Sequence, residues 1–108
     1  MTLDDVFATL RDITTDRSAA GVAGTSAVSA VTYDSRRVMA GAVFVALRGL
    51  KADGATFAAQ AATRGAILIA AETPRPDELQ TPWLVVSDAR LALALLADAF
   101  YDHPSRRI

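Results

Sequence analysis

The sequence contains no cysteine and a single histidine, His103. Disulfides, a thiolate nucleophile and a thiolate zinc site are therefore excluded, and one imidazole does not build a metal centre by itself. Neither sign of charge dominates: eleven Lys and Arg stand against twelve Asp and Glu, for a formal charge of −1. That excludes the global basic field with which proteins attract nucleic acid, so any anion binding must come from a local cluster. No apolar run approaches the roughly 20 residues of a membrane helix. The opening Met1-Thr2-Leu3-Asp4-Asp5 lacks the charged-then-apolar signature of a signal peptide. These absences point to a cytoplasmic chain with neither nucleic acid nor membrane as a partner.

What is present is ordinary globular composition: 108 residues, 52% hydrophobic and 21% charged, suited to a single domain. Much of the apolar content is alanine, which favours helices packed closely on a sheet around a thin, dense core. Leu3, Val6, Phe7, Leu10 and Ile13 recur at helical spacing behind Thr2 as N-cap, with Asp4 and Asp5 in the first turn. Residues 14–25 show no firm period and read as a loop with at most a short strand. Val28 to Tyr33 reads as a strand ended by a turn at Asp34 and Ser35, and Ala42 to Leu47 as a buried strand. A loop over residues 48–54 leads to a helix capped by Thr56, running to about Arg64 and stopped by Gly65. Ala66 to Ala71 and Trp83 to Val86 are further strands, joined by a proline-bearing surface connection. Asp88 caps a last helix, Ala89 to about Asp102, with Leu93, Leu96, Ala97 and Phe100 on one face and Arg90, Asp98 and Asp102 towards the other. The fold class is α/β: a single domain with a mixed, mostly buried sheet of about five strands flanked by helices.

Chemistry concentrates between Asp34 and Lys51, where Arg36, Arg37, Arg48 and Lys51 face one acid, Asp34, a surplus of three positive charges. Loops at strand ends are where α/β domains bind ligands. Guanidinium groups, the Ser35 hydroxyl and backbone N–H groups freed by Gly49 and Gly54 suit a diphosphate. The plainer alternative is a set of solvated charges around two tight turns, and on charge alone that reading is favoured. His103 suits acid–base chemistry by its ordinary pKa, but its place beside Pro104 at a helix end fits C-terminal capping better. Helix-start and solvent-face readings account for Asp4/Asp5 and Asp98/Asp102 better than carboxylate pairs do. Trp83 reads as packing, with nucleotide stacking the lesser option.

Order adds what charge does not. Thr32-Tyr33-Asp34-Ser35-Arg36, then Gly41-Ala42-Val43-Phe44-Val45-Ala46-Leu47-Arg48-Gly49, then Lys51-Ala52-Asp53-Gly54 resembles the DSR, GxxFVAxxG and DG pattern that opens the Mur ligases. The resemblance continues through Ala61-Ala62-Thr63-Arg64-Gly65-Ala66 and Trp83-Leu84-Val85-Val86-Ser87-Asp88-Ala89-Arg90. Phe100-Tyr101-Asp102-His103-Pro104-Ser105 is similar to the FYxHPS stretch of the MurE type, which the MurF type usually lacks. The resemblance implies that residues 1–108 are the N-terminal, UDP-substrate-binding domain of a MurE-type ligase. Such an enzyme uses ATP to activate UDP-N-acetylmuramoyl-L-alanyl-D-glutamate as an acyl phosphate, which an amino acid's amine attacks. By matching position, Tyr33, Ser35, Leu50, Lys51 and Ala52 would line the substrate site, with Arg36 and Arg48 as possible diphosphate contacts. Tyr33 stands where the family often has an aliphatic residue. Leu50 and Lys51 also depart from other members, which favours backbone contacts there. Arg36 is as well suited to pairing with Asp34 as to touching ligand.

The sequence holds no G-x-x-x-x-G-K-S/T phosphate loop. The resemblance therefore implies ATP and Mg2+ for a longer parent, whose ATPase and C-terminal domains would be partners in the same polypeptide. This chain carries no catalytic residue or metal ligand of its own and is expected to be inactive alone. The alternatives are a MurF-type N-terminal domain, acting on a tripeptide substrate, and a non-catalytic α/β interaction module. The encoding frame is expected to continue past Ile108 into a glycine-rich phosphate loop. Sequencing that frame checks it, and a stop codon there would favour the interaction module.

Overall fold

The computed structural model describes residues 1–18, 26–47, 54–75, 77 and 79–102. Helix α1 spans Leu3–Thr9. Its start is a reciprocal cap: Thr2 Oγ1 accepts from the Asp5 N–H at 3.3 Å, and Asp5 Oδ2 accepts from the Thr2 N–H at 2.8 Å. The periodicity through Ile13 does not continue as one α-helix, because Arg11–Ile13 tightens into a 3-10 turn. Thr14 closes it by donating its hydroxyl to the Leu10 carbonyl at 2.8 Å.

Strand β1, Thr14–Ser18, falls where the sequence suggests a loop with at most a short strand. Strands β2 (Ala30–Thr32), β3 (Ala42–Val45), β4 (Leu68–Ala71) and β5 (Trp83–Val86) follow. They form one five-stranded sheet in the order β1-β5-β4-β3-β2. β2 to β5 are mutually parallel and β1 closes the far edge antiparallel to β5, pairing Thr14 with Val86 and Ser18 with Trp83. The mixed sheet expected from the alternating pattern is thus present.

Every residue of β3 and β4 is buried. Successive side chains point to opposite faces, so each strand feeds two cores. Val43, Val45, Leu68, Ala70, Leu84 and Val86 join Leu3, Val6 and Leu10 of the N-terminal segment. Ala89, Ala92 and Leu96 complete that core from α3, which spans Ala89–Ala97. On the other face, Phe44, Ile69, Ala71 and Trp83 pack with Ala58 and Ala61 of α2, which spans Gly54–Thr63. Small side chains on α2 let the helix lie close to the sheet while Phe44 and Trp83 fill the volume. Trp83 is fully buried and its Nε1–H donates to the Thr73 carbonyl at 2.8 Å, which bears out the packing reading.

Helix boundaries shift from those the sequence suggests. α2 begins at Gly54, so Thr56 stands inside its first turn and not at its cap. Asp88 does cap α3, its Oδ1 accepting from the Leu91 N–H at 3.0 Å. A second carboxylate, Glu72 Oε2, accepts from the Ala89 N–H at 2.8 Å, so β4's exit also fixes the helix start. The last turn, Asp98–Asp102, widens into a π-turn. Among the described residues no helix is long and apolar enough to cross a membrane.

Two glycines join the entry of β3 to the end of α2. Gly41 has φ +86° and Gly65 φ +106°, and the Gly41 N–H donates to the Gly65 carbonyl at 3.0 Å. A Cβ on Gly65 would lie 2.9 Å from Ala40 Cα, which is backbone and cannot swing aside. Gly65→Ala is therefore expected to lower the unfolding free energy by roughly 1–3 kcal/mol. Urea unfolding measures this, and a loss under about 0.5 kcal/mol would remove the close-approach argument.

Candidate functional site

The site grows out of the crossover from β2 to β3. Thr32, the last residue of β2, accepts the Asp34 N–H on its hydroxyl at 3.1 Å and bends the chain. Asp34 then caps a 3-10 turn, Ser35–Arg37, its Oδ1 accepting from the Arg36 N–H at 3.0 Å. The same carboxylate takes Arg36 side-on, with Nε at 3.2 Å from Oδ1 and Nη2 at 3.1 Å from Oδ2. Arg37 Nε stands 3.9 Å from Oδ2. The Arg36 side-chain hydrogen bond, followed by the Arg36 N–H and the charges of Arg36 and Arg37, holds the Asp34 carboxyl below the usual aspartate range. The bond to Asp34 likewise raises Arg36 above its ordinary value.

Val38, buried just after the turn, plugs the crossover into the core on the α2 side of the sheet. That anchoring brings the turn against α2. Ser35, only 5% exposed, donates its hydroxyl to Gln60 Oε1 at 3.0 Å. Between the turn and the helix opens a cleft of about 1060 Å³ lined by Tyr33, Asp34, Ser35, Arg36, Gln60, Thr63 and Arg64. Tyr33 is 61% exposed and also borders a second groove, of about 700 Å³, with Thr32, Arg37 and Met39. Arg64 makes no side-chain hydrogen bond or ion pair with another described residue, whereas Arg36 is held by Asp34.

Of the residues singled out in the sequence, Tyr33, Ser35 and Arg36 come together in this cleft. Arg48, Leu50, Lys51, Ala52 and His103 lie outside the described residues. Ser35 is not an open hydroxyl on a loop but a nearly buried one already engaged with Gln60. Arg36 forms the structural pair with Asp34 that was one of its two readings. Sequence reasoning missed Gln60, Thr63 and Arg64. Their spacing of three and four places them on one helix face, but nothing in the sequence says which turn that face meets.

Among the described residues no three of His, Cys, Asp and Glu come together to hold a metal ion. The sequence also lacks the phosphate loop, so the described residues do not fit ATP with Mg2+.

A mostly parallel sheet with a cleft beside the exit of one strand, bordered by Arg36 and Arg64, defines an α/β domain whose cleft lies where such folds commonly place ligands. Residues 27–101 match the family described as "Mur ligase family, catalytic domain". The chain belongs to the Mur ligase family.

Its relatives include "UDP-N-acetylmuramoyl-L-alanyl-D-glutamate--2,6-diaminopimelate ligase" of Geobacillus kaustophilus, 46% identical over 79% of this chain and 17% of that protein. The enzyme of the same name from Chlorobaculum tepidum is 43% identical over 98% of this chain and 21% of that protein. The "UDP-N-acetylmuramyl-tripeptide synthetase" of Roseiflexus is 49% identical over 75% of this chain and 16% of that protein. MurF from Acinetobacter baumannii has the same fold, with a TM-score of 0.70 and 28% identity over 89% of this chain and 20% of that one. The MurE-type resemblance is borne out by these sequence relatives, and the chain spans a fifth or less of the length of most of them.

The lowered Asp34 pKa has a consequence with a definite sign. A carboxyl whose folded pKa is depressed contributes stability above its unfolded pKa and loses it as pH falls through the folded value. Asp34→Asn is therefore expected to be less stable than the parent at neutral pH, with the deficit closing between the ordinary aspartate pKa and the lower folded one. Urea unfolding across acid pH measures both, and a deficit that persists at the acid end would contradict the assignment.

Proposed function

We propose that this chain binds the UDP-N-acetylmuramoyl portion of UDP-N-acetylmuramoyl-L-alanyl-D-glutamate, as the N-terminal domain of an ATP-dependent, MurE-type amide ligase of peptidoglycan precursor synthesis. The carrying observation is the cleft between the Ser35–Arg37 turn and α2, which gathers Tyr33, Ser35 and Arg36 from the family-like motif. The names of the sequence relatives supply the substrate class, and the cleft supplies matching chemistry. Tyr33 offers an aromatic face to a base, and guanidinium groups of Arg36 and Arg64 offer charge to phosphates. Arg36 retains donors after pairing with Asp34, since a guanidinium carries five N–H groups. Arg48 and the backbone of Leu50, Lys51 and Ala52 belong to the same proposed site by motif.

On this reading the chain recognises and orients the substrate's nucleotide end. Activation by ATP and attack by the incoming amine fall to the central ATPase and C-terminal domains of a longer polypeptide. Cytoplasmic location belongs to the same proposal. The solved structures of A. baumannii MurF favour a second reading, a MurF-type domain. Identity separates the two: 27–28% to those structures against 43–49% to the sequence relatives cited above.

Titration of the chain with UDP and with UDP-N-acetylmuramoyl-dipeptide, followed by amide NMR shifts, tests the proposal. Shifts are expected at residues 33–37 and 60–64. Arg64→Ala is expected to weaken UDP several-fold and to reduce the salt dependence of binding. No shift in either segment at millimolar ligand would count decisively against the site.

A further inference from the structure

We propose that Gln60 is a positioning residue that fixes the Ser35 hydroxyl as a hydrogen-bond acceptor toward the nucleotide, while its own amide N–H groups donate to the same ligand. This rests on the nucleotide-binding reading of the cleft and assigns polarity within it. A serine hydroxyl has one proton and two lone pairs. The Ser35 proton goes to Gln60 Oε1 at 3.0 Å, across 25 positions of sequence, from the crossover turn to α2. What Ser35 then offers the cleft is lone pairs, which match an N–H or O–H of the ligand, such as a base imide or a sugar hydroxyl. An ionised phosphate oxygen has no proton to give and does not match.

Donors come from the opposite wall. The Gln60 Nε2 protons make no hydrogen bond with another described residue, and Gln60 is exposed. Arg64 follows the last residue of α2, four positions on from Gln60, and both residues line the cleft. The Ser35–Gln60 contact thus divides the cleft locally into an acceptor on the turn and amide and guanidinium donors on the helix side, with the Arg36 guanidinium a further donor on the turn. A nucleotide, with proton-bearing groups at one end and anionic oxygens at the other, is oriented by that division.

UDP titrations of the whole chain, followed by amide NMR, test the coupling through a double-mutant cycle. Ser35→Ala is expected to weaken UDP by about tenfold, Gln60→Ala by somewhat more because it also removes the amide donors, and the double variant by little more than Gln60→Ala alone, because the Ser35–Gln60 pair is broken once. Losses that multiply towards about a hundredfold, or a Gln60→Ala affinity within about twofold of the parent, overturn the inference. Gln60→Glu separates the two roles: it keeps an oxygen for the Ser35 proton but replaces the amide donor with negative charge. It is expected to hold uridine within about threefold of the parent while weakening UDP by tenfold or more. Loss of uridine as severe as in Gln60→Ala would overturn the positioning role. Gln60 is exposed, so dispersed amide spectra of these variants are expected. Failure of the unsubstituted chain to respond to UDP would defeat the nucleotide-binding reading itself. UDP binding without the coupling would defeat only this inference.

Discussion

The structure depends on burying two neighbouring parallel strands, β3 and β4, on both faces at once. Their backbones pair in the ladder and all their side chains are apolar, so neither face can meet water. That requires cover on both sides, supplied by α1 and α3 over one face and α2 with the β2–β3 crossover over the other. Alanine at Ala58, Ala61, Ala89 and Ala92 keeps these layers close, while Trp83, Phe44 and the leucines provide bulk. Polar chemistry is thereby displaced to strand exits and outer helix faces, where the cleft is found.

The crossover from β2 to β3 is short and carries the Asp34-Ser35-Arg36 motif, so its placement decides the candidate site. Val38 and the paired glycines Gly41 and Gly65 hold its return limb against the end of α2. Asp34 organises the outgoing limb by capping the turn and gathering Arg36 and Arg37. One carboxylate thus limits the repulsion of two adjacent guanidinium groups and orients one of them. The pair is exposed on the arginine side, so solvent screens it, and its role is geometric more than energetic.

Membership of the Mur ligase family and this local chemistry support the same division of labour. The chain corresponds to a small part of its relatives' length, and in the proposed function its donors hold a ligand while bond formation falls to other domains. Binding energy at the nucleotide end can still serve catalysis elsewhere, because it fixes where the reacting end of a long substrate lies.

Much of the fold was legible in the sequence because its signals are local. Continuous apolar runs marked the buried strands, Thr2 and Asp88 marked helix starts, and Asp34-Ser35 marked the turn. β1 was faint because Thr14–Ser18 has no apolar alternation, and its place comes from backbone pairing with β5, some seventy residues away. The start of α2 and the break after Thr9 were missed for a related reason: packing overrides weak capping and periodicity cues. By itself the sequence determined the class of fold, the motif and one wall of the site, since each depends on neighbours in the chain. Only the tertiary structure decided that α2 is the other wall and that the Ser35 proton is already committed to Gln60. Contacts between segments 25 residues apart are set by how layers pack, which no local pattern encodes.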